Sequence, residues 1–173
     1  MNKPRCLLIT GLILAATAAR LGHLPANFSP LGAVALFGGA TFADKRLAFG
    51  VPLAALLLSD CVLGFYNGML VVYGSFALIV VIGFGLRARR RPAAIAAASV
   101  AAAVGFFATT NFGVWAAGVL YPRTLAGLGE CYVAALLFFR NTLVSQLVFS
   151  AALFGAAALA ESKFASLREP AAA

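Results

Sequence analysis

The most confining feature of this chain is a succession of apolar runs, each nearly long enough or long enough to cross a bilayer, with basic residues gathered between them. Residues 47–65 are typical: apolar throughout except where Ser59, Asp60 and Cys61 stand side by side. A hydrocarbon core of ~30 Å needs ~20 such residues in a helix. Only helices and closed barrels satisfy every backbone group in lipid. Barrel strands would alternate with a period of two, whereas these runs are continuous. The expectation is therefore an all-α membrane protein, a single domain over residues 1–173. Composition agrees, with 63% hydrophobic and 10% charged residues, where a soluble chain carries about 25% charged.

Six spans follow, at about residues 6–21, 31–43, 47–65, 69–86, 93–120 and 130–160. The first also has the layout of a secretory signal, with a basic start and small residues near its end, but removing it would leave an odd number of spans. The second is short and rich in glycine, so it reads as an irregular or partly re-entrant segment. A net charge of +8 invites a nucleic-acid reading, which the distribution opposes. Ten of the thirteen basic residues fall into four clusters: Lys3 and Arg5, Lys45 and Arg46, Arg87 with Arg89 to Arg91, and Lys163 with Arg168. Six spans put all four clusters on one side, the pattern of cytoplasmic loops. Both termini are then cytoplasmic, in the inner membrane of a bacterium.

An acid and a thiol inside an apolar run are costly, and such residues usually face a cavity, a partner or a substrate. With this topology Asp60 and Cys61 lie ~6–8 Å below the outer end of the third span. Tyr73 stands at a similar depth on the fourth, Asn111 and Trp115 in the outer half of the fifth, and Arg140 and Asn141 on the sixth. A cavity open to the outside, lined by these groups, is the simplest expectation. Tyr66 belongs to its rim, and His23 and Asn27 to a two-proline loop, residues 23–30, that would cover it. Each residue also has a plain structural role open to it. Asp60 could pair with Arg140 and only hold two helices together, Cys61 could be a small packing residue, and Tyr66 and Trp115 could be interfacial aromatics. Cys61 and Cys131 both lie outward, so a disulfide or a thiol oxidoreductase is conceivable, although no C-x-x-C pair is present. A non-catalytic scaffold is a third reading, which predicts no cavity.

Several segments resemble one family of small membrane proteins: Pro25 to Pro30, Leu36 to Ala40, Leu56 to Asp60, Thr110 to Trp115, Tyr121 with Pro122, and Phe138 to Thr142. The chain is similar, from Arg20 to about Gly155, to the BtuM-type family of cobalamin transporters, relatives of the substrate-binding S components of energy-coupling-factor (ECF) vitamin transporters. The resemblance implies a six-helix S-component bundle with a vitamin site at its outer face. Cobalamin-specific members use a cysteine as a cobalt ligand, which makes Cys61 the expected metal ligand, with cobalamin as the bound substrate. Another vitamin is the alternative cargo. The small residues Ala15 and Ala19 resemble the face on which S components dock a coupling subunit. A thiolate is a soft ligand suited to such a metal, and binding would drive its deprotonation. Electron donation from sulfur would weaken the bond to an upper cyanide, so Cys61 would also assist decyanation.

Overall fold

A computed structural model describes residues 3–22, 24–88 and 90–167. Among them the chain is all-helical: α1 (Lys3–Ala19), α2 (Leu31–Thr41), α3 (Lys45–Leu63), α4 (Met69–Phe84), α5 (Pro92–Ala117), α6 (Leu125–Lys163) and a short 3-10 turn at Ala165–Leu167. The helices α3, α5 and α6 are long and apolar enough to cross a membrane, whereas α2 and α4 are shorter apolar helices. Their ends follow from local chemistry. The Asp44 carboxylate accepts from the Arg46 backbone N–H at 2.8 Å and starts α3. Pro92 opens α5, where its missing N–H is an orphan in any case. The Thr124 hydroxyl accepts from the Gly127 N–H at 3.1 Å at the head of α6.

Five helices form a closed ring in the order α1, α3, α4, α5, α6, and α2 runs through its centre. A helix surrounded on every side should be apolar all round. Ten of the eleven residues of α2 are buried, from Leu31 to Thr41 with only Gly32 less so. Two glycines set the closest approach. A side chain on Gly39 would strike the Val80 backbone of α4, and one on Gly83 would strike the Leu36 carbonyl of α2. The two backbones therefore touch directly, the close packing small residues permit between membrane helices.

The end of α2 is held from outside the helix. Arg87, just past α4, donates to the Gly39 carbonyl at 3.0 Å and the Phe42 carbonyl at 2.7 Å. Its guanidinium also lies 4.2 Å from the Phe84 ring centroid. The cluster of arginines expected to set topology thus contains one residue that caps the central helix, satisfying carbonyls a helix end leaves open. At the same end Arg5, fully buried, pairs with Glu161 at 3.1 Å and joins the start of α1 to the end of α6. Arg89 and Arg168 lie outside the described residues.

The brevity of α2 creates the site. At 1.5 Å per residue its eleven residues cover ~16 Å, about half of a hydrocarbon core. The ring helices reach farther, so beyond Leu31 the axis of the bundle is left to the loop between α1 and α2 and to open space. The short second segment read from the sequence is this helix, and its span ends at Thr41 where residue 43 was expected.

Candidate functional site

The open space on the axis is a cavity of about 360 Å³. Its floor is formed by Gly32 of α2, Ile79 of α4, Ala103 of α5 and Gln146 of α6, and its roof by the loop carrying Asn27 and Phe28. Leu63 and Tyr66 close one side. This volume lies within the ~300–1,000 Å³ usual for small-molecule sites, and the ring helices give it an apolar wall with few polar groups.

One wall is fixed by a buried ion pair. Asp60, with no solvent exposure, receives Arg20 Nη1 on one carboxylate oxygen at 2.6 Å and the Tyr73 hydroxyl on the other at 3.0 Å. The same guanidinium nitrogen also donates to the Ser59 hydroxyl, which in turn donates to the Leu56 carbonyl at 2.7 Å. A buried carboxylate needs such partners, since desolvation otherwise costs several kcal/mol. The arrangement locks the C-terminal ends of α1 and α3 to the start of α4, and Arg20 itself lines the cavity.

Of the roles open to Asp60, pairing with Arg140 is thereby ruled out. Helices α3 and α6 sit apart in the ring and do not touch, and Arg20 takes the place assigned to Arg140. Arg140 is exposed, does not line the cavity and has no such partner among the described residues. The sequence did hold a signal for Arg20, which is one of only two basic residues beside the outer loops, on the face where lysine and arginine are scarce.

The same separation decides the disulfide. Cysteines bridge only when their Cα atoms lie within ~7 Å, so Cys61 on α3 and Cys131 on α6 cannot pair. All three cysteines are free. Cys131 is buried and donates to the Asn111 carbonyl at 3.4 Å. The thiol oxidoreductase reading loses its dithiol, and the scaffold reading loses its prediction of no cavity.

The remaining expected residues divide into two groups. Asn27 and Tyr66 line the cavity. Asn27 holds a left-handed backbone, φ 59°, a conformation asparagine tolerates better than most residues. Burial pushes the Tyr66 hydroxyl above its ordinary range, the Asp60 charge adds to the rise and the Arg20 charge opposes it. Asn141 donates to the Ala26 carbonyl at 3.0 Å and so ties the roof loop to α6. Asn111 and Trp115 stand elsewhere. The Asn111 amide donates to the Phe107 carbonyl of its own helix at 2.8 Å, and the Trp115 indole donates to the Pro122 and Thr124 carbonyls, each at 3.1 Å. The Asn111 side chain thus bonds back to its own helix and Trp115 holds the α5–α6 connection; neither lines the cavity. His23 lies outside the described residues.

Cys61 is exposed on the last turn of α3, on the side of Leu57, Leu58 and Val62, which are also exposed. Asp60, one residue earlier, faces the bundle, and the ~100° step of a helix turns Cys61 away from it. The cysteine does not line the cavity. Ala15 and Ala19 are exposed on α1.

Gln146 was not singled out in the sequence, although it is the polar group of the cavity floor. A lone glutamine in a long apolar helix gave the only available signal.

The chain belongs to the Family of unknown function (DUF6580), which it matches over residues 1–169. No curated protein and no solved structure matches it.

Proposed function

We propose that this chain is a membrane transporter component that takes a vitamin from the outer side of a bacterial inner membrane, with cobalamin as its cargo. The observation that carries the reading is the axial cavity: an eleven-residue central helix leaves the outer half of a closed ring unfilled, under a tethered loop. The apolar wall suits an organic solute. Arg20, which also lines it, is engaged by Asp60, and Asn27, Tyr66 and Gln146 are uncharged and suit amide and hydroxyl groups on the ligand.

A corrinoid is larger than this cavity. It would rest its ring over the exposed outer turn of α3, where the Cys61 sulfur is free to meet cobalt, and lower one amide-bearing arm beneath the loop. The position of Cys61 on the outside of α3 favours a ligand lying across the rim over one held inside. Thiolate donation would then weaken the opposite axial bond, and a cyanide there would leave with its electron pair. A solute without a metal would use the cavity alone, with Cys61 unnecessary. That is the second vitamin reading, supported by the absence of Cys61 from the cavity wall.

Filling the cavity tests the assignment. Val72 lies in its wall, and Val72→Phe should abolish retention of cyanocobalamin by the purified protein through gel filtration while leaving its thermal unfolding within a few degrees. Retention unchanged by Val72→Phe would remove the cavity from the binding site.

A further inference from the structure

A second cavity of about 650 Å³ lies toward the basic end of the bundle, between α2, α5 and α6. We propose that the two cavities are outer and inner chambers of one solute path, closed between them by the side chain of Gln146. The proposal rests on the transport reading above and supplies its route.

The two chambers share their walls. Along α6 the outer one ends at Gln146 and the inner one begins at Leu147 and Ser150. On α5 the outer one ends at Ala103 and the inner one begins at Ser99. From Gln146 to Ser150 and from Ala103 to Ser99 is four residues, about one helical turn, so the partition is at most ~6 Å thick. Across it Gln146 Nε2 donates to the Ser150 hydroxyl at 3.5 Å, at the long limit for such a bond. Gln146 has its room because Gly32 opposes it, and a side chain there would collide with the carboxamide oxygen. A weakly held amide set against a glycine can swing aside without moving a helix.

Ser99 points to a ligand in the inner chamber. Most other buried hydroxyls among the described residues return to a carbonyl of their own helix: Thr17 to Ile13, Thr41 to Phe37, Ser75 to Val71 and Ser145 to Thr142. The Ser99 hydroxyl has no exposure and no hydrogen-bond partner among the described residues, and Ser99 lines the cavity. A buried hydroxyl left unpaired costs about 1–3 kcal/mol, a cost removed when a passing solute supplies the partner. Gln146, Ser150 and Ser99 are all neutral, so the part of the solute that crosses the partition is an uncharged hydrogen-bonding group such as an amide. The inner mouth is edged by Arg90 and Glu161, at the basic end.

Cysteine accessibility tests this without any cargo. In a background of Cys6→Ser, Cys61→Ser and Cys131→Ser, the reporters Ser99→Cys and Ser150→Cys are treated with the membrane-impermeant reagent 2-sulfonatoethyl methanethiosulfonate, in inside-out and right-side-out vesicles. Both reporters should react at least tenfold faster from the basic, inner face. Adding Gln146→Ala should raise reaction from the outer face at least tenfold, whereas the apolar plug Gln146→Leu should not. Failure of both reporters to react from the inner face would overturn the proposal, as would outer-face rates unmoved by Gln146→Ala. Because no corrinoid is used, the expected labelling together with absent cobalamin binding would sink the proposed cargo and leave the path standing.

Discussion

The Arg20–Asp60 pair lends itself to a quantitative test. Replacing Arg20 with methionine keeps an unbranched apolar stem, removes the guanidinium and leaves a fully buried carboxylate with only the Tyr73 hydroxyl. Removing one partner of a buried pair costs about 3–5 kcal/mol. The lower end applies here, because the Arg20 side chain keeps 19% exposure and water can reach its vacated position. For a chain of this size about 3 kcal/mol lowers Tm by roughly 6–12 °C. The double variant Arg20→Met with Asp60→Leu should recover most of that loss, since an apolar replacement of both partners is often close to neutral. Thermal unfolding in detergent, followed by tryptophan fluorescence and gel-filtration recovery, reads both numbers. A single variant within 1–2 °C of wild type, or a double variant no better than the single, would refute the claim that this pair holds the cavity wall together.

Other substitutions probe the remaining supports. Gly39→Val should abolish the folded monomer, because α2 and α4 are in backbone contact there, while Gly50→Ala, with open space around it, should be neutral or stabilise by up to about 1 kcal/mol; expression and monodispersity separate the two. Arg87→Ala should cost about 3 kcal/mol, the scale of two lost bonds from a charged donor, and Arg87→Lys should recover less than half of it, which comparison of thermal midpoints will check. Asn141→Ala should leave stability within about 1 kcal/mol yet speed cyanocobalamin release several-fold in a filter assay, because the roof loop loses its tie to α6.

Much of the architecture was legible because lipid leaves few choices. Continuous apolar runs and the basic residues between them gave the six helices and the grouping of their ends, and two prolines with three glycines marked the loop and the short helix after it. The arrangement of helices around α2 was not legible, and the site errors follow from that. Depth along each helix can be counted from sequence, but rotation about its axis and the identity of its neighbours cannot. Depth left a pairing of Asp60 with Arg140 open, whereas the ring sets α1 beside α3 and keeps α6 away. Cys61 shares the depth of Asp60 yet points away from it. Asn27 and Tyr66 were found because loops at the end of a bundle have little choice of direction. Ser99 carried no signal, because its missing partner becomes visible only once the packing is known.

The account stands most directly on the meeting of Cys61 with cobalt. Purified protein should be titrated with cyanocobalamin while the corrin absorption bands are recorded, for wild type and for Cys61→Ser. The account predicts a saturable shift of the visible bands at one corrinoid per chain, with the shift absent in Cys61→Ser. A wild-type spectrum identical to that of free cyanocobalamin at saturating protein, or an undiminished shift in Cys61→Ser, would contradict it.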